Sequence, residues 1–233
     1  MNPMASSNFL SSDRSLSGKA VITASLIRHF LGSNFRRILV VGCGSGLEAA
    51  ALAQGFQAEV IGIDLDPSFD IRAAEWADLR KGDATHLEFD SGFFDLVYCF
   101  HVLEHIPDYQ KALSEMARVL RPMGGVLVGT PNQARLIGYL GSETAAWNQK
   151  IAWNWNDWKA KIRGQFKNEL GAHAGFLPRE LKGALEEAFE QVEDITFAYY
   201  LQLYQKSRLL IKFLGHSGLG HYLFPAIYFV GRK

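Results

Sequence analysis

Three groups of residues in this sequence have the types and spacing to do chemistry. The first is a run of alternating glycines, Gly42, Gly44 and Gly46, entered from Arg37-Ile38-Leu39-Val40-Val41 and left through Leu47-Glu48-Ala49-Ala50. The second is a pair of carboxylates, Asp64 after Glu59-Val60-Ile61-Gly62-Ile63, and Asp83 within Gly82-Asp83-Ala84. The third is His101-Val102-Leu103-Glu104-His105, directly after Phe94-Asp95-Leu96-Val97-Tyr98-Cys99-Phe100, with a further histidine at His173. Glycines between an aliphatic run and a helix-forming run let the backbone turn sharply and approach a ligand closely. The helix that follows offers free N–H groups and a positive dipole end to an anion.

The ligand is narrowed by what the turn lacks. A dinucleotide fingerprint needs its third glycine three positions after the second, and Leu47 stands there; no Gly-Lys-Ser/Thr follows, so a phosphate loop is excluded as well. Asp64 lies about 20 residues beyond the glycines, the spacing of a carboxylate that accepts from ribose hydroxyls. A ribose-containing ligand follows, and its other end need not be a pyrophosphate.

The elements that must position these groups are short aliphatic strands alternating with helices. Strands are expected at 37–41, 59–64, 94–100, 126–130 and 226–230, with a weak segment around Leu79. Helices are expected at 18–31, from 47 to about 54, at 69–77, at 108–120 and from 178. Residues 192–200 read as strand-like, 201–224 as helix plus loop, and 1–17 as a loose polar tail. Alternation of this kind predicts an α/β fold, a parallel sheet covered on both faces, whose ligands bind beyond the carboxyl ends of the strands. Gly42–Gly46, Asp64, Asp83, Phe100, His101 and Thr130 all fall at those ends. From 135 to about 175 the pattern changes: four of the five tryptophans, Trp147, Trp153, Trp155 and Trp158, are interleaved with Asn, Asp and Lys. This reads as a partly helical insertion acting as a lid, or as a surface subdomain packed on the sheet. The expected organisation is a single domain over 1–233, with a tail and cap helix over 1–36.

With 24 acidic and 24 basic residues in 233, no bulk charge points to nucleic acid or anionic lipid. Cys43 and Cys99 are too few for a disulfide framework or a four-thiolate metal site, and both fall in apolar surroundings. No apolar run is long enough to span a bilayer and no secretory signal pattern is visible, so a cytoplasmic protein without stable membrane insertion is expected.

With these residues in hand, the chain resembles the class I S-adenosylmethionine-dependent methyltransferases from about Arg37 onward. Val40–Gly46 is similar to that family's first motif, Gly62–Pro67 to its second and Gly82-Asp83-Ala84 to its third. Phe94–Val97 and Leu120–Gly125 are similar to its fourth and fifth strand regions. The resemblance implies a doubly wound, mostly parallel, seven-stranded Rossmann-like sheet with an antiparallel C-terminal strand, and S-adenosylmethionine as cofactor. It implies a cofactor site of Gly42, Cys43, Gly44, Gly46, Asp64, Leu65, Asp83, Ala84, Phe100 and His101. Asp64 would take the ribose, Leu65 lie beside adenine, Asp83 accept from the adenine amino group and the Ala84 N–H reach a ring nitrogen. Gly44 and Gly46 would make room for the methionine end.

A narrower resemblance, to the small-molecule branch that includes ubiquinone-type O-methyltransferases, lies in His101–Asp108, Thr130-Pro131-Asn132 and His173 with Phe176–Leu181. The ubiquinone-type enzymes carry an acidic residue in the place of His101.

The histidine run also matches the H-x-x-E-H pattern of inverted zinc peptidases, but that requires the segment to lie within one helix, whereas here it follows a strand directly. No metal is expected, and Glu104 and His105 are read as ordering the loop before the next helix. His101 and His173 are the candidate general bases for a hydroxyl or amine acceptor. The tryptophans and the aromatic segment 199–224 suggest a small-molecule acceptor that is apolar or aromatic, and nothing supports a nucleic-acid substrate. Two other readings stay open: a nucleotide-cofactor oxidoreductase on a similar sheet, and a non-catalytic protein that binds S-adenosylmethionine.

Overall fold

The computed structural model describes residues 14–66, 68–139, 145–168 and 173–233. Seven strands form one sheet in the order β3-β2-β1-β4-β5-β7-β6. They are β1 (Arg37–Val41), β2 (Glu59–Asp64), β3 (Asp78–Lys81), β4 (Phe94–Phe100), β5 (Leu120–Pro131), β6 (Glu190–Asp194) and β7 (Ala226–Arg232). β1, β2, β3, β4 and β5 pair in parallel, while β7 runs antiparallel to both β5 and β6. The expected doubly wound sheet with an antiparallel C-terminal strand is therefore the fold. Strand order reverses between β1 and β4, which opens a crevice at the ends of the two strands that carry the glycine turn and His101.

Alternating residues feed two cores, as strand geometry demands. Leu39, Val41, Ile61, Ile63, Val97 and Cys99 face α3 (Tyr109–Val119) and α5 (Pro178–Ala188). Ile38, Val40, Val60, Leu96, Tyr98 and Tyr228 face α1 (Arg14–Phe30), α2 (Leu47–Phe56) and α6 (Thr196–Leu203). α3 is stopped at its start by Asp108, which accepts from the Lys111 N–H at 3.1 Å, and α5 begins at Pro178. The remaining helices are α4 (Trp147–Ile162), α7 (Arg208–His216) and α8 (Gly220–Leu223). Among the described residues, no helix is long and apolar enough to cross a membrane.

Several expectations are corrected. Residues 69–77 form turns, not a helix, because the Asp70 carboxylate takes the Arg72 N–H at 2.9 Å together with its guanidinium. The weak segment around Leu79 is the edge strand β3. The strand expected over 192–200 ends at Asp194, whose carboxylate accepts from the Thr196 N–H at 2.8 Å and starts α6. Tyr199 and Tyr200 thus sit on a helix, their aromatic β-propensity overridden by packing. α2 runs past Gly55 to Phe56, where Gln57 in the left-handed region caps it. Residues 14–17, expected as tail, open α1; the tail expectation for 1–13 lies outside the described residues.

Candidate active site

Positive backbone φ angles at Gly42, Gly44 and Gly46 make the turn between β1 and α2. The three glycines meet different surroundings. A Cβ on Gly42 would come within 2.1 Å of Val102, and one on Gly46 within 2.3 Å of Leu79, whereas one on Gly44 would meet nothing within 4 Å. Gly42 is needed so that the loop after β4 can close on the turn, and Gly46 so that Leu79 of β3 can pack there; the room expected at Gly46 is filled by protein. Gly44 alone faces open space.

Asp64 is fixed at the end of β2 by accepting the Gly44 N–H at 2.8 Å and the Asp66 N–H at 3.0 Å, one on each oxygen. Each oxygen keeps a lone pair for a further donor. Asp83 receives the Thr85 N–H and hydroxyl, both at 2.8 Å and both on Oδ1, so Oδ2 stays available. These bonds from Thr85 hold the Asp83 carboxyl below its usual range. A cleft of about 520 Å³ runs over these groups, lined among others by Gly42, Asp64, Leu65, Asp83, Ala84 and His101. Cys43, Gly44, Gly46 and Phe100 are not in its walls. Cys43 is buried against Gly62, and burial followed by the nearby Asp64 charge pushes its thiol up to about 12. Phe100 packs in an aromatic stack with Tyr98 and Tyr228.

His101 takes a left-handed backbone conformation, φ 58°, directly after β4, and its N–H is held by the Gly129 carbonyl at 2.7 Å. Behind it lies Glu104, whose side chain is 2% exposed. Its Oε1 is 3.7 Å from His101 Nδ1 and 4.0 Å from His105 Nε2, and its Oε2 accepts the Thr130 hydroxyl at 3.0 Å. Burial acts to raise the Glu104 pKa; the His101 contact and the Thr130 bond outweigh it, and the carboxyl ends below its usual value. Leu103–His105 is a single 3-10 turn, so the histidine run does not lie on one α-helix as a zinc peptidase needs. Among the described residues no cluster of three or more His, Cys, Asp or Glu is arranged to hold a metal ion.

A second cavity, of about 300 Å³, shares His101 with the cleft. Its walls include Tyr139, His173, Tyr199, Tyr200, Tyr204 and Tyr228. Tyr199 and Tyr228 stack at 3.9 Å. Burial raises the hydroxyl pKa of Tyr199, Tyr200 and Tyr228, so these phenols remain neutral near pH 7. Arg135, in the wall, is buried and committed. It pairs with Asp157 at 3.0 Å and donates to the carbonyls of Asn132 and Ala174. His173 lines this cavity, and two residues on, Gly175 passes so close to Pro131 that a Cβ would sit 1.7 Å from its carbonyl oxygen. Its ring meets His105 edge-on at 4.7 Å.

The tryptophan-rich helix α4 braces this wall without entering it. Asp157 also accepts from the Tyr139 hydroxyl at 3.1 Å, and the Trp158 indole N–H donates to the Leu136 carbonyl at 2.6 Å. All four tryptophans are exposed and none lines either cavity. Sequence reasoning did not single out Arg135, Tyr139, Asp157 or Tyr228. The only signs of them were the abrupt change of pattern from 135, which holds Arg135, Tyr139 and Asp157, and the strand expected at 226–230, which holds Tyr228.

A reversed strand order at β1/β4, with a turn of glycines and two carboxylates at the strand ends, is the arrangement in which open α/β sheets bind nucleotide-type ligands. The comparisons with known proteins give the class its name. Residues 39–128 match the family described as "Methyltransferase domain". The chain is 33% identical over 190 residues to a ubiquinone biosynthesis O-methyltransferase of Alkalilimnicola ehrlichii, covering 76% of each protein. The fold resembles a SAM-dependent methyltransferase from Archaeoglobus fulgidus, with a TM-score of 0.58 at 18% identity over 92% of this chain and 94% of that one. It also resembles phosphoethanolamine N-methyltransferase 2 of Haemonchus contortus, solved with S-adenosyl-L-methionine, with a TM-score of 0.56 at 18% identity over 97% of this chain and 59% of that one. The chain belongs to the class I S-adenosylmethionine-dependent methyltransferases and is an enzyme of that class, which removes the oxidoreductase reading.

Proposed function

We propose that this enzyme methylates a hydroxyl group on a neutral, aromatic small molecule held in the tyrosine cavity, with His101 as the general base. The observation that carries the reading is that His101 lines both the cleft and the tyrosine cavity. The residues of the cleft fit S-adenosylmethionine. Asp64 keeps acceptor capacity for ribose hydroxyls and Asp83 keeps Oδ2 for an amino group; Gly44 stands outside the cleft wall but is bonded to Asp64, and its open face leaves space for the methionine end. When bound, the cofactor supplies a methyl group activated on a sulfonium.

The chain's own part is alignment, dryness and proton removal. Stacked tyrosines offer flat apolar walls, and Arg135 is neutralised by Asp157, so the cavity suits a ring without a carboxylate. The tyrosines keep their protons, which leaves His101 and His173 as the side chains of a type that exchanges a proton near neutral pH. Glu104 acts as a positioning residue, its carboxylate set behind His101 Nδ1 so that Nε2 can face the acceptor. The helix α4 serves the same cavity as a brace, holding Arg135 and Tyr139 through Asp157. The relatives' chemistry supports an oxygen acceptor: the Alkalilimnicola relative is an O-methyltransferase.

The test is turnover of S-adenosylmethionine with a panel of phenols and catechols against amines. His101→Ala is expected to lower kcat by about 100-fold or more, with His173→Ala milder. Near-normal rates in both variants, or preferential turnover of amines, would overturn the proposal.

A further inference from the structure

The 24 acidic residues all precede Ile195; from there to Lys233 the chain holds Lys206, Arg208, Lys212, Arg232 and Lys233 and no Asp or Glu. Arg232 and Lys233 are committed to the backbone carbonyls of Phe30, Arg118 and Leu120 at the far end of β7, which leaves Lys206, Arg208 and Lys212 as the basic residues on and beside α7, with no carboxylate in the same segment. This helix is inverted relative to an ordinary surface helix. Its inner side is fixed by Ile211, which is buried, and by Gly215, whose missing Cβ lets Phe197 of α6 pack against it. Its outer side is a ridge of Leu209 (83% exposed), Leu210 (56%) and Phe213 (61%), spaced three and four residues apart on one face. Lys212 and Arg208 flank that ridge.

A second group of exposed apolar residues follows the helix. Tyr222 and Leu136 are both exposed and joined by a 2.7 Å backbone hydrogen bond, and the Trp158 indole of α4 donates to Leu136 in turn. Exposed leucine, phenylalanine and tryptophan with basic residues at the margin is the composition of a helix that lies in a lipid headgroup layer. A second copy of this chain would bring the same basic segment against itself, which disfavours self-association. Charge complementarity selects an anionic surface. Leu203 and Tyr204, which line the tyrosine cavity, stand just before α7 in the chain.

We infer that α7, with the neighbouring Tyr222–Leu136–Trp158 surface, is a docking face for an anionic lipid bilayer, on which the protein rests without spanning it. Exposure and charge define this face whichever molecule fills the tyrosine cavity.

Co-sedimentation of the full-length protein with vesicles of equimolar phosphatidylglycerol and phosphatidylcholine, and with vesicles of phosphatidylcholine alone, tests it. Binding is expected to the anionic vesicles, about tenfold or more weaker to the neutral ones, and reduced by high salt. Leu209→Ser/Phe213→Ser is expected to weaken binding about tenfold or more. Its affinity for S-adenosylhomocysteine should be unchanged, because neither residue lines the cleft. Wild-type protein that stays in the supernatant with anionic vesicles overturns the inference, as does a double variant that sediments equally well. So does light scattering that shows a wild-type dimer dissolved by the double substitution while vesicle binding is untouched.

Discussion

Replacing the three glycines of the β1–α2 turn one at a time by alanine separates ligand space from protein packing. All three have positive φ, where an alanine costs about 1–2 kcal/mol in backbone strain alone. At Gly42 the new methyl would also lie 2.1 Å from Val102, a branched side chain that cannot swing away without moving the loop that carries His101. Overpacking of that kind adds about 1–3 kcal/mol, so Gly42→Ala should lose roughly 2–5 kcal/mol of stability. Gly46→Ala meets the flexible end of Leu79 at 2.3 Å and should fall lower in that range. Gly44→Ala meets no protein atom within 4 Å, so its cost is expected to stop at the strain term, about 1–2 kcal/mol. In compensation its methyl group would stand where the methionine end of the cofactor is placed. Urea unfolding of the apo-proteins measures the first effect, and calorimetry with S-adenosylhomocysteine measures the second. The expected pattern is that Gly44→Ala is the most stable of the three yet loses about tenfold or more in affinity, about 1.4 kcal/mol. A Gly44→Ala variant that binds S-adenosylhomocysteine as tightly as wild type would refute the placement of the ligand.

Glu104→Gln keeps the shape of the side chain and its bond to Thr130 but removes the charge behind His101. It should lower kcat by about 10-fold or more while leaving the KM for S-adenosylmethionine unchanged. Combined with His101→Ala it should add little, since the two act as one unit; independent, multiplying losses would show that Glu104 only shapes the loop. Away from the site, Glu115 accepts from Arg118 and from the Leu87 N–H, and these contacts lower its carboxyl from 4.5 to about 2. A depressed folded-state pKa means stability that is complete above about 4.5 and is lost as pH falls toward 2. The shift sets an upper bound of roughly 3 kcal/mol, and solvent screening brings the expected contribution to about 1–2 kcal/mol. Glu115→Gln should therefore show a shallower loss of stability between pH 5 and pH 2 in urea titrations, and an unchanged slope would contradict the assignment.

How much of this was legible in the sequence depended on whether a signal was local. The strands β1, β2, β4 and β7 are runs of mostly buried apolar residues with little competition, so their positions could be anticipated, while the reversal at β1/β4 depends on pairing between distant segments. Asp64 and Asp83 could be placed because strand ends fix where side chains emerge. The 69–77 segment was misread because Asp70 bonds its own neighbourhood, a choice that apolar periodicity does not encode. Gly44 and Gly46 look alike in sequence, yet one faces open space and the other Leu79, a residue 33 positions further on. The tyrosine cavity was illegible for a related reason. It joins Tyr139, Tyr199, Tyr200 and Tyr228 across three separate elements, and two of them lay in a segment whose aromatic content mimicked a strand. The role of α4 was equally hidden: its tryptophans drew the eye, while the attachment to the site runs through Asp157.

The central claim is that the cofactor's reacting sulfur and the acceptor meet at His101, between the cleft and the tyrosine cavity. A crystal structure of the complex with S-adenosylhomocysteine and a catechol tests it most directly. The account predicts the adenosine on Asp64 and Asp83, the sulfur turned toward His101, and the catechol ring between the tyrosines with a hydroxyl on the His101 imidazole. A sulfur directed away from His101, or a catechol bound outside the tyrosine cavity, would contradict it.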